Sequence, residues 1–162
     1  MAEIWGMMPE AAVFRKNMPA TPLEAFLFVN ETLRGENART IQAAGSKSQP
    51  KALWEGAFLR MKNAAPMAGF AQNRTYFFEG MAVSKSTHYG VDLASTERAP
   101  IEAANNGVVV YTGYLGIYGN TVIVDHGLGL SRLYAHMSDI SVKGGQSVAR
   151  GETLGNSGAT GL

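Results

Sequence analysis

The chain has 162 residues, 46% of them hydrophobic, and a formal net charge of +1, which leaves room for one domain with a real core plus an extension. So even a charge balance offers no basic patch for nucleic acid. The absence of cysteine excludes disulfides and thiolate metal sites, and no apolar run nears the ~20 residues that a transmembrane helix needs.

Met1 to Pro19 holds two basic residues and scattered methionines but no apolar stretch of signal-peptide type. Thr21-Pro22-Leu23-Glu24 then reads as a capping box with proline in the first turn. Leu23, Phe26, Leu27, Asn30 and Leu33 follow helical spacing up to Gly35, an apt stop. Glu36 to Pro50 is polar and rich in Ser, Ala and Gln and is expected to be a loop or linker. Trp54, Phe58, Leu59 and Met61 form a cluster suited to docking on a sheet, a packing role preferred over a sugar-binding platform. These elements make residues 1–69 an accessory region with one or two short helices.

Fourteen of the nineteen glycines fall from Gly80 onward, the rhythm of short strands joined by tight turns. The expected strands are Thr75–Glu79, Gly90–Ala94, Gly107–Tyr114, Asn120–Asp125 and Leu130–His136, with Gly127-Leu128-Gly129 as a hairpin turn. Strand alternation puts Leu130, Arg132, Tyr134 and His136 on one face. That face suits the lining of a substrate groove with Tyr134 available to a peptide, or equally an ordinary solvated face. Val142, Gly145, Val148, Gly151 and Leu154 recur every third residue, a rhythm that resembles the glycine-bent hammerheads of biotinyl and lipoyl carriers. No lysine here has a carrier's flanks. The expected architecture is mainly β, an antiparallel-sheet or barrel-sandwich hybrid, over residues 70–162.

The chemistry concentrates in His88-Tyr89-Gly90-Val91-Asp92. An imidazole and a carboxylate are both metal-competent, yet in a regular strand residues four apart stand roughly 13 Å from each other. The chain must bend to bring them together, and Gly90 midway can take positive φ. By itself such a pair is also what a surface hydrogen bond looks like.

Taken with Tyr118-Gly-Asn120, Asp125-His126-Gly127, Tyr134-Ala-His136 and Gly158-Ala-Thr160-Gly161, the motif resembles the lysostaphin-like, or LytM-type, zinc metalloendopeptidases of the duplicated hybrid motif type, over about Phe70 to Leu162. Sugar phosphotransferase carriers share a similar His-x-Gly-x-Asp segment but not the later motifs. The resemblance implies zinc held by His88 and Asp92, His136 as the non-ligand histidine that assists the attacking water, and a structural His126. It implies peptidoglycan peptides as substrate and places the protein in the cell envelope, periplasmic or secreted; Tyr134 on its strand face, with Arg74 and Tyr76 in the segment that leads into this region, are the expected groove residues. The family's third ligand lies in a His-x-His motif soon after the Gly-x-Thr-Gly turn. This sequence has no such motif, its histidines being 88, 126 and 136. The expectation is therefore a peptidase fragment that is inactive as it stands, or alternatively a non-catalytic LytM-type domain that binds cell wall or regulates a partner hydrolase.

Overall fold

The computed structural model describes residues 21–162; the first part of the expected accessory region, residues 1–20, lies outside them. The capping box at Thr21 forms as the sequence requires: its hydroxyl accepts from the Glu24 amide while the Glu24 carboxylate takes the Thr21 amide. Helix α1 (Pro22–Leu27) runs through a π-helical turn (Phe28–Leu33) into α2 (Arg34–Gly45). The expected stop at Gly35 and the expected loop after it are thus corrected. A Cβ on Gly35 would meet only the tip of Arg39, and Arg34–Gly45 is built mainly of good helix formers. What holds it is polar, since buried Asn37 accepts from the Ile117 amide at 3.1 Å.

The rest is mainly β. Strands β1 (Ala65–Ala68), β2 (Gln72–Phe78), β3 (Met81–His88) and β4 (Asp92–Ala94) pair as β1–β4 and β2–β3. The register continues across the two breaks, from Ala68 opposite Asp92 to Gln72 opposite His88. The four strands are therefore one antiparallel ribbon, bent where Gly69 to Ala71 face Tyr89 to Val91. Its tip is a tight turn at Glu79-Gly80, both at positive φ. The sequence reading missed β3 altogether because Ser84, Lys85, Ser86 and Thr87 carry no apolar alternation.

Strands β5 (Pro100–Glu102), β6 (Gly107–Tyr114), β7 (Asn120–Asp125), β8 (Ser131–Ile140), β9 (Ser147–Val148) and β10 (Thr153–Ser157) form the main sheet, in the order β5-β10-β8-β7-β6-β9. Strands β6 and β7 lie where periodicity put them. The three-residue rhythm becomes core: Val142, Val148 and Leu154 are buried with Ala103, Val109, Val122, Val124 and Met137, while Gly145 and Gly151 turn at positive φ. A smaller cluster of Leu33 and Ile117 seats the helix on the turn before β7.

Leu53 to Lys62 crosses the sheet as a strap without regular structure. Leu53 donates to His126 O, Leu59 to Ala104 O, and Phe58 stands edge-on to the His126 ring at 4.9 Å. Its aromatic cluster packs.

Candidate functional site

The bend in the ribbon builds the site. His88 ends β3 and Asp92 begins β4, so the two side chains flank the corner, and His88 Nε2 lies 3.1 Å from Asp92 Oδ1. The other ring nitrogen, Nδ1, lies 3.1 Å from the Gly69 carbonyl on the facing bend. That carbonyl only accepts, so Nδ1 carries the proton. A neutral imidazole has one N–H. Its Nε2 lone pair then faces a carboxylate oxygen, acceptor against acceptor, and a cation between them or an imidazolium resolves the conflict. Two donors on a tetrahedral zinc stand about 3.3 Å apart when the bonds are roughly 2.0 to 2.1 Å. The observed separation fits, and a backbone partner on the second nitrogen is the usual support of a metal-bound histidine.

Gly90 matters for a reason other than the one expected. It is not among the positive-φ residues; instead, a Cβ there would lie 3.4 Å from His88 Nε2. Glycine keeps the space beside that nitrogen open. Among the described residues, no third His, Cys, Asp or Glu joins the pair as a metal cluster.

Tyr76 and Arg74 pair with Ser84 and Ser86, and directly paired residues share a face with their partners. Both therefore lie on the ribbon face that carries His88. The Tyr76 hydroxyl lies 3.0 Å from Ser86 Oγ, and its ring meets Phe26 of α1 edge-on at 4.9 Å. Exposed Arg74 donates to Gln72. Farther from His88 on the same face, Asn30 donates to Ser84 Oγ at 2.7 Å and Ser84 donates to Glu31. The helix thus walls one end of this face.

His136 reaches its position through a bulge that strand alternation could not foresee. On β7 Asn120 and Val122 are two apart, but their partners on β8, Met137 and Tyr134, are three apart. Tyr134 and Met137 both pack on the core, and His136 between them has φ 55°. The shared face expected for Tyr134 and His136 is corrected accordingly. The Tyr134 hydroxyl accepts from the Ala104 amide at 2.8 Å, and burial pushes its phenol pKa up. That side chain serves the fold.

His136 Nδ1 lies 2.8 Å from the Thr160 carbonyl, which again places the proton on Nδ1 and the lone pair on Nε2. His126 is fully buried, with Nδ1 on the Asn106 carbonyl at 2.8 Å. All three imidazoles are thus fixed by backbone carbonyls from outside their own strands. The sequence analysis overlooked Gly69 and Asn106 in these roles, because a carbonyl anchor leaves no mark on residue type.

The ribbon corner sets an imidazole and a carboxylate against each other, and the main sheet carries another imidazole oriented by a backbone carbonyl. Residues 86–162 match the family model for peptidase family M23. The DD-carboxypeptidase/endopeptidase Mpg of Neisseria meningitidis serogroup B is 40% identical over 74 residues, 46% of this chain and 17% of that protein. Among solved structures, a zinc containing peptidase from Vibrio cholerae superposes with a TM-score of 0.58 at 31% identity, covering 67% of this chain and 34% of that one. The catalytic domain of lysostaphin from Staphylococcus simulans gives 0.51 at 29% identity, over 61% of this chain and 71% of that one. Through these matches the chain is similar to the LytM-type peptidases of family M23. It spans less than two thirds of the length of the curated relatives it matches, 17% in the case of Mpg.

Proposed function

We propose that this chain carries the groove and part of the metal site of a zinc-dependent endopeptidase that hydrolyses peptide bonds of bacterial peptidoglycan in the cell envelope, periplasmic or secreted. The observation that carries this reading is the convergence of His88 Nε2 and Asp92 Oδ1, 3.1 Å apart, with the other ring nitrogen held on the Gly69 carbonyl. Zinc at that point would lower the pKa of bound water towards ~7 and polarise the scissile carbonyl. His136 would accept the water's proton at Nε2, the nitrogen its hydrogen bond leaves open. Tyr76 and Arg74, on the face shared with His88, would contact the peptide. In this reading residues 70–162 are the peptidase domain and residues 1–69 an accessory region.

The polypeptide supplies two donors at this point, and the resemblance assigns a third to a His-x-His motif that the sequence does not contain. By itself it would hold zinc weakly and fail to turn over substrate. A second reading is a LytM-type domain that binds cell wall or a partner hydrolase without cutting.

Zinc titration by calorimetry, together with release of peptides from purified sacculi, tests both. His88→Ala and Asp92→Ala should each abolish zinc binding, while His136→Ala should retain it. Equal zinc loss in all three variants would show that His136 is misassigned. Tight stoichiometric binding with hydrolysis by the 162-residue chain would overturn the expectation of inactivity, and sacculus binding without any zinc dependence would favour the second reading.

A further inference from the structure

Thr160 holds both sides of the β8 bulge. Its carbonyl accepts from His136 Nδ1 at 2.8 Å, its hydroxyl donates to the Met137 carbonyl at 2.8 Å, and the same hydroxyl accepts from the Asn120 amide at 2.9 Å. One residue thereby fixes the side chain of residue 136, the backbone of residue 137 and the start of β7. The turn can approach this closely because two glycines face each other across it. A Cβ on Gly119 would overlap the Thr160 backbone, and one on Gly161 would lie 2.5 Å from both the Gly119 amide nitrogen and the Ile117 carbonyl oxygen. Both glycines have positive φ. The Gly-x-Thr-Gly signature is thus a seat for the threonine as well as a turn.

We propose that Thr160 is a positioning residue for His136: its carbonyl selects the Nδ1–H tautomer, and its hydroxyl clamps the bulge that turns the imidazole out of strand alternation. The inference rests on reading His136 as the proton acceptor. An acceptor must present its lone pair outward, and a neutral imidazole keeps that lone pair on Nε2 only while Nδ1 is held as the donor. The backbone at His136, at φ 55°, lies in a region that non-glycine residues occupy sparingly. Such a conformation persists when surrounding bonds over-determine it, and the Thr160 hydroxyl supplies bonds immediately after it and on the adjacent strand. Valine at position 160 would match the shape, lose both hydroxyl bonds and free the turn to move. Serine would keep them.

The test is long-range proton–nitrogen correlation on the full 162-residue chain with ¹⁵N-histidine, at a pH where the imidazoles are neutral. In the unmodified protein His136 should carry its proton on Nδ1, and T160S should leave that signature in place. T160V should move the His136 nitrogens towards averaged, tautomer-exchanging shifts, while His126, held by Asn106, keeps its own pattern and certifies that the fold survives. If T160V unfolds and both patterns collapse together, the wild-type and T160S spectra decide. A wild-type His136 protonated on Nε2, a T160V spectrum unchanged at His136, or a T160S spectrum lacking the Nδ1–H signature would overturn the proposal. Failure of zinc to bind His88 and Asp92 would sink the peptidase reading and leave this measurement unaffected, so the two failures are distinguishable.

Discussion

Asp125, at the end of β7, should make an outsized and pH-dependent contribution to stability. Its carboxylate is almost fully buried and accepts three hydrogen bonds: Oδ1 from Ser48 Oγ at 2.6 Å and the Gly127 amide at 3.0 Å, Oδ2 from the Gln49 amide at 2.9 Å. Burial alone would raise its pKa. The hydrogen bonds outweigh it and hold the group below the ordinary carboxylate value. Asp125→Asn keeps the shape but presents one acceptor oxygen. With that oxygen placed at Oδ1, the new amide group meets the Gln49 N–H donor to donor. Losing a hydrogen bond to a charged group costs about 1.5 to 3 kcal/mol, and for a chain of this size each kcal/mol lowers Tm by roughly 2 to 4 °C. Urea unfolding at pH 7 should therefore place the variant about 2 to 3 kcal/mol below the parent. Because the folded pKa is depressed, this stabilisation is fully present above the unfolded value of about 3.9 and is lost as pH falls through the lower folded value. The difference between parent and variant should accordingly shrink below about pH 4. A variant of equal stability at pH 7, or a gap that stays constant into acid, would refute the reasoning.

Two further substitutions probe the scaffold of the site. Gly161→Ala should cost about 2 kcal/mol or more, because it combines a left-handed backbone with overlap against Gly119 and Ile117; Gly129→Ala, with similar φ but open space, should cost about 1 to 2 kcal/mol, and equal losses in chemical denaturation would show that contact is irrelevant at Gly161. Asn30→Ala removes a buried side chain that donates to Ser84 and accepts from Arg34, with an expected cost of about 1 to 3 kcal/mol, and hydrogen exchange should accelerate in β2 and β3 while the main sheet stays protected; uniform acceleration across both would argue against a local anchor.

Much of this protein could be read along the chain wherever one residue type answers to one local constraint. The capping box at Thr21, strands β6 and β7, and the valine-glycine rhythm from Val142 to Leu154 each follow from short-range chemistry and burial. The ribbon strand β3 escaped, because a partly buried strand paired only with the exposed β2 needs no apolar alternation. The helix from Arg34 to Gly45 escaped for the opposite reason. It has little apolar stripe to detect, and a single buried amide, Asn37, ties it to the turn before β7. At the site, His88 and Asp92 were visible as residue types four apart. Their convergence needed the paired bends of the ribbon, with Gly69 supplying the opposing carbonyl.

Sequence alone determined which side chains could do chemistry here: two metal-competent groups at a spacing that demands a corner, and a further imidazole within a glycine-rich β region. Tertiary structure decided how each group is presented. It bent a continuous register to set Nε2 against Oδ1, inserted the bulge that separates His136 from Tyr134, and assigned every imidazole proton to a carbonyl from a distant segment. The physical reason is that residue type fixes what an atom can donate or accept, whereas the partner that makes it do so is backbone, identical in every residue and located only by the fold.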